Sequence, residues 1–181
     1  LLADLAAALS AHRYNVDYAQ VYTRKRPGKR DEAVDIFHVT HPGADSEADM
    51  QEEVAAFQRT VEQLESGAVT AERLVGRRGK APSWARSGPR IKTEVIVDNN
   101  ASSRYTVVYV YTRDRAELLH AIARTFHRHG LSIVLAKVNT EGRRVADVFY
   151  VEAAGGGKLA GDGQLARLSE ALRETIHRLD V

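Results

Sequence analysis

Cysteine is absent from all 181 residues. That excludes disulfides and thiolate metal sites, and it fits a reducing compartment such as the cytoplasm. No apolar run approaches the roughly 20 residues a membrane helix needs, so no membrane partner is expected. Neither sign of charge is in excess: 26 Lys and Arg oppose 24 Asp and Glu, a net of +2. So even a balance does not imply nucleic acid; only clustering of the basic residues could. A secretory signal at residue 1 is also missing, but the chain reads as starting inside a domain, so that absence carries little weight. What is present is ordinary for a globular protein, 44% hydrophobic and 28% charged residues. That is too apolar for disorder, and the length suits one large or two small domains.

Thr106 to Val151 organises the chain. Thr106 to Thr112 is β-branched and aromatic, which suits a strand. Asp114 to Glu117 breaks it. Leu118, Leu119, Ile122, Ala123 and Phe126 then recur at the period of one helix face. Gly130 ends the helix, because glycine tolerates a left-handed C-terminal turn. Ser132 to Asn139 and Val145 to Val151 read as two strands joined by a hairpin at Glu141-Gly142. The sum is β-α-β-β, most of a ferredoxin-like unit.

The same unit occurs earlier. Shifted by 117, Leu1-Leu2 meets Leu118-Leu119, Leu5 meets Ile122, Leu9 meets Phe126, and Val16, Ala19 and Val21 meet Ile133, Ala136 and Val138. Shifted by 112, Asp35-Ile36-Phe37-His38-Val39 meets Asp147-Val148-Phe149-Tyr150-Val151. Self-similarity of this kind marks an internal duplication. In the second copy a strand and loop precede the helix. The first copy has neither, so its first strand is expected upstream of Leu1.

The first copy reads as a helix over Leu1–His12, strands over Tyr14–Arg24 and Val34–Thr40, and a helix over Ser46–Glu65. Arg24 to Arg30 is a basic turn. Ser46 is the expected N-cap of the second helix, whose apolar face is Met50, Val54, Phe57, Val61 and Leu64. A short helix over Thr70–Val75 follows. Arg77 to Arg90 is rich in Gly, Pro, Ser and Arg and reads as an extended linker, with Trp84 docking on a neighbouring surface. Ile91 to Asp98 is a strand. The final helix, Asp162 to Leu179, ends the chain, so the second copy lacks a last strand. Ile91–Val97 would supply it, or would complete the first copy; donation to the second is favoured. The expected organisation is α+β, with two ferredoxin-like βαββαβ domains: residues 1–76, a linker at 77–90, and residues 91–181.

Asp98 to Val108, Asp114-Arg115, Leu118-Leu119, Gly130-Leu131-Ser132-Ile133, Ala136-Lys137-Val138 and Val145 to Val151 carry a family likeness. Through them the second half closely resembles the C-terminal ACT domains of bacterial PII uridylyltransferase/uridylyl-removing enzymes. The first half resembles the preceding ACT domain, without its first strand. The resemblance implies a tandem regulatory module that senses glutamine, pairs ACT to ACT or as a homodimer, and controls upstream catalytic domains acting on the PII protein. The nucleotidyltransferase and His-Asp motifs are absent from this chain. No catalytic residue, metal or cofactor is therefore assigned to it; Mg2+ and UTP are implied for the catalytic domains.

ACT units resemble one another in binding amino acids where two of them meet. A loop entering a helix offers free N–H groups to a carboxylate. That loop is Asp114, Arg115, Ala116, Glu117 and Leu118. The facing unit supplies the start of its second strand: Asn15, Val16 and Asp17 in the first copy, Ser132 and Ile133 in the second. The sequence departs from the family here, where the loop usually reads Asp-Arg-Pro-Gly-Leu-Leu. Glu117 puts a carboxylate where a ligand carboxylate would lie, unless it turns to solvent beside the helix N-terminus. Two other functions stay open: a ligand-free dimerisation or interdomain module, and an ACT-type regulator of another enzyme.

Other features read as structural. His120, His127 and His129 are spaced wrongly for one metal ion and are taken as solvated. The β-α-β-β order is shared with RNA-recognition modules, but Arg143 to Tyr150 lacks their Gly-aromatic octet, so no nucleic-acid partner is expected. Gly155-Gly156-Gly157 is a turn and not a phosphate loop.

Overall fold

In the computed structural model of this chain, residues 1–24, 26, 28, 32–43, 46–75 and 91–179 are described. The linker, with Trp84, and part of the basic turn fall outside them. The elements are α1 (Leu2–Ala11), β1 (Asn15–Arg24), β2 (Glu32–Thr40), α2 (Glu47–Glu65), α3 (Ala71–Val75), β3 (Glu94–Asp98), β4 (Thr106–Arg113), α4 (Leu118–Arg128), β5 (Leu131–Glu141), β6 (Arg144–Ala153) and α5 (Asp162–Arg178). The strands form one antiparallel sheet in the order β2-β1-β5-β6-β4-β3. The fold is α+β, as expected. None of the described helices is long and apolar enough to cross a membrane.

β3 pairs with β4, Val95 opposite Val110, so the Ile91–Val97 region joins the second unit. Ser169 Oγ and Arg173 Nη2 of α5 donate to the carbonyl of Val95 and tie the last helix over that added strand. The core lies between sheet and helices. It collects Val108, Val110, Ile122, Phe126, Phe149, Leu168, Leu172 and Ile176, which alternate along strands or recur along helices as burial on one side requires.

The strand register repeats along the chain. Gln20 pairs with Lys137, and Tyr18 and Tyr22 pair with Asn139 and Leu135. The β1–β2 ladder is bulged between Val16 and Tyr18, and the β5–β6 ladder between Ile133 and Leu135. Arg13 after α1 has φ 61° and Gly130 after α4 has φ 67°, the same left-handed helix stop. The β5–β6 hairpin turns at Gly142-Arg143, since Glu141 pairs with Arg144. That is one residue beyond the expected turn.

One expectation fails in an instructive way. His120 is buried at 5% exposure, and its Nδ1–H donates to the Ala3 carbonyl at 2.7 Å, so it is not a solvated residue. The period of α4 placed it off the sheet-facing side, but that flank meets α1. α2 has the expected Ser46–Asp49 capping box, yet buries none of its residues fully. It packs on α1, whereas α5 has both α4 and β3 beneath it. Met50, Phe57, Val61 and Leu64 are half-buried and Val54 is exposed.

Candidate functional site

Where β4 ends, Asp114 turns the chain by donating its N–H to the Arg143 carbonyl at 2.9 Å. Arg115 folds back: its Nη1 donates to Thr112 Oγ1 at 2.7 Å and to the Arg113 carbonyl at 2.9 Å. Glu117 then adopts φ 68° as the N-cap of α4, with no side-chain cap hydrogen bond. Left-handed backbone costs an L-residue roughly 1–2 kcal/mol. Glycine would escape that cost, and glycine is what the family loop usually carries there.

Opposite the loop, Tyr14 leads into β1. Together Asn15, Val16, Asp114, Arg115, Ala116, Glu117 and Leu118 line one cavity of about 90 Å3, with Ser10, Tyr14, His120, Thr140 and Asp147 among the other residues of its wall. At roughly 30 Å3 per water that holds about three waters. A ligand pocket is ordinarily about 300 Å3 or more, so an occupant requires the loop to give way.

Two polar groups set the chemistry of this cavity. Tyr14 is 6% exposed, and its hydroxyl has no hydrogen-bond partner among the described residues. Its ring is held edge-on by His41 at 5.1 Å and Phe57 at 5.8 Å. Asp147 is 1% exposed. Burial pushes its carboxyl up to about 8, against the Asn139 N–H that donates to Oδ1 at 3.2 Å and with help from the charge of Asp114. A carboxyl near pH 7 that is mostly protonated donates a hydrogen bond, and it ionises when a cation arrives.

A second cavity, of about 320 Å3, stands in the corresponding place of the other unit. Ser132 and Ile133 line it, with Leu1, Leu2, Asp35 and Glu152. Asp35 is raised by burial and held down by the Tyr22 N–H, much as Asp147 is held by Asn139. The expected site residues therefore divide. Seven share the first cavity, Ser132 and Ile133 belong to the second, and Asp17, at the β1 bulge, lines neither.

The chain was compared with known proteins. It is 36% identical over 180 residues to the bifunctional uridylyltransferase/uridylyl-removing enzyme of Caulobacter vibrioides (strain NA1000 / CB15N), a match covering 98% of this chain and 18% of that enzyme. It is 35% identical over 181 residues to the enzyme of that name from Phenylobacterium zucineum (strain HLK1), covering 99% and 19%. For the one from Azospirillum brasilense it is 31% over 177 residues, covering 97% and 18%. The chain is homologous to a segment of these enzymes. It spans under a fifth of the length of each of the three. No protein-family model matches it, and no solved structure does.

In this uridylyltransferase-related segment, reading the sequence missed Ser10, Tyr14, Thr140 and Asp147 as cavity residues. A signal existed for Asp147. It shares the inward parity of Val145, Phe149 and Val151, where an acid is out of place, and Asp35 repeats it at the 112-residue shift. Tyr14 gave none, since a tyrosine beginning a strand is unremarkable.

Proposed function

We propose that the chain is a tandem ACT-type regulatory module of a bifunctional uridylyltransferase/uridylyl-removing enzyme, binding glutamine and biasing catalytic domains that act on the PII protein. The observation that carries this reading is the cavity between the Asp114–Leu118 loop and the start of β1, which buried Asp147 and Tyr14 help to line; the Tyr14 hydroxyl is buried without a partner. An unpaired buried hydroxyl costs about 1–3 kcal/mol unless something occupies it. In this reading Asp147 gives up its proton to take the α-ammonium, the first N–H groups of α4 take the α-carboxylate, and Tyr14 with Asn15 meets the side-chain amide. Sensing an abundant metabolite needs only millimolar affinity, about −4 kcal/mol. About 1–3 kcal/mol of difference between two states would shift the attached domains.

Calorimetric titration and thermal shift with glutamine, glutamate and alanine test the reading. Saturable heat with glutamine, and a higher melting temperature, support it. No heat and no shift at millimolar glutamine refute it. A second reading, a ligand-free interdomain scaffold, is favoured by the small size of the cavity and by Arg115 bonding back onto β4.

A further inference from the structure

The two cavities are walled by the same pair of helices. The C-terminal half of α1, with Ala6 and Leu9, and the first turn of α4, with Leu118 and His120, line the first. The opposite ends of these helices, at Ala3 and His127, line the second. The helices therefore run antiparallel, and a shift of one past the other alters both spaces. A buried hydrogen bond crosses between them, from His120 Nδ1–H to the Ala3 carbonyl at 2.7 Å. It joins a wall residue of one cavity to a wall residue of the other. The carbonyl of Ala3, near the start of α1, also serves the helix ladder, and the imidazole takes its second lone pair. Losing the imidazole thus orphans no carbonyl of α1. The buried surface of α1 is rich in methyl groups: Ala6, Ala7 and Ala8 are all 5% exposed or less. Ridges that shallow interlock less than long side chains do, and packed helices shift by small sliding steps.

We propose that the His120–Ala3 hydrogen bond is a latch. It holds α4 against α1 and keeps the loop cavity small, and it is released when a ligand enters, so that the helices shift and the second cavity changes with the first. This rests on the reading of the loop cavity as the glutamine site. The size of that cavity supplies the reason. Its volume of about 90 Å3 is too small for an amino acid, so its walls must part. The loop runs straight into α4, and the Ala121 N–H donates back to the Glu117 carbonyl at 2.9 Å. A loop that swings out pulls on the first turn of α4, which His120 fastens to α1. Among the described residues the Arg124–Glu72 pair, at 2.9 Å, also ties α4 to the first half of the chain, through α3. Both of its side chains are well exposed, and a pair of that kind holds weakly. The latch weakens binding by the fraction of molecules that stand open. One buried hydrogen bond changes that fraction by about fivefold. His120 acts here as a positioning residue, through the helix it holds.

Imidazole nitrogen spectroscopy of the isotope-labelled wild type, with and without glutamine, provides a test that needs no variant. Ligand-free, His120 carries its proton on Nδ1 and exchanges it slowly; millimolar glutamine abolishes that protection. Two variants, checked for folding by circular dichroism, add amide exchange and calorimetry. His120→Phe keeps a planar ring but has no donor. Without ligand it speeds exchange of the Ala121 amide about fivefold, and it binds glutamine about fivefold more tightly than the wild type. His120→Asn, whose side-chain N–H stands near the place of Nδ1, brings both values back toward those of the wild type. Glutamine heat with an unchanged His120 signal overturns the latch and leaves glutamine binding standing. So does a His120→Phe protein with unaltered Ala121 exchange and weaker binding, which would make His120 a wall residue alone. A wild type that takes up no glutamine refutes the glutamine site itself, and the release with it.

Discussion

Asp147→Asn should make the protein more stable, and increasingly so as the pH rises. The folded carboxyl holds its proton up to about 8, while its unfolded value is 3.8. Between those values the folded chain binds a proton that the unfolded chain has released. Stability contributed by that group is therefore complete below about pH 4, and falls as pH rises toward 8. The slope is about 1.4 kcal/mol per pH unit. Relative to an asparagine, which carries no such proton, the wild type gives up about 1.5 kcal/mol at pH 5 and as much as about 4 kcal/mol at pH 7. Asparagine fits where the protonated acid fits, and its carbonyl oxygen still accepts from the Asn139 N–H. Urea denaturation at several pH values between about 5 and 8 measures the difference, with the wild type losing stability across the window and the variant losing less. Parallel curves for the two proteins would mean that Asp147 is ionised in the fold, and the reasoning about its burial would be refuted.

Tyr14→Phe removes a hydroxyl that has no partner, so the folded protein should gain up to about 1 kcal/mol while glutamine binding weakens about tenfold; denaturation and calorimetry read the two effects separately. Arg13→Gly relieves exposed left-handed backbone and should raise stability by about 0.5–1 kcal/mol, a few degrees in melting temperature. Glu117→Gly should do the same for the loop by about 1 kcal/mol and should also tighten glutamine binding, since it withdraws a carboxylate from the ligand's own; calorimetry showing weaker binding would contradict that. Glutamine should bind more tightly at pH 8 than at pH 6, because Asp147 must lose its proton to meet the ammonium; a titration series across that range checks it.

Most of the fold was legible because its elements carry strong periods. Val107 to Val110 and Val145 to Val151 alternate or run apolar, and Gly130 and Ser46 mark helix ends by local chemistry that burial does not alter. The pairing of β3 with β4 was harder. The sequence shows a strand without a partner, and only the missing last strand of the second copy pointed to where it goes. His120 was misjudged for a physical reason. A helix face is read against the sheet, whereas His120 meets another helix. The loop at Asp114–Leu118 was legible through its resemblance to a family motif. Asp147 and Tyr14 were not, because tertiary packing turns an ordinary acid and an ordinary tyrosine into groups that lack solvent.

The most direct test is amide chemical-shift mapping with glutamine on the isotope-labelled chain. The account predicts saturable shifts at Asn15, Val16, Ala116, Leu118 and Asp147, together, at millimolar glutamine. Amides that stay still to tens of millimolar, or that move only far from this cavity, would contradict it.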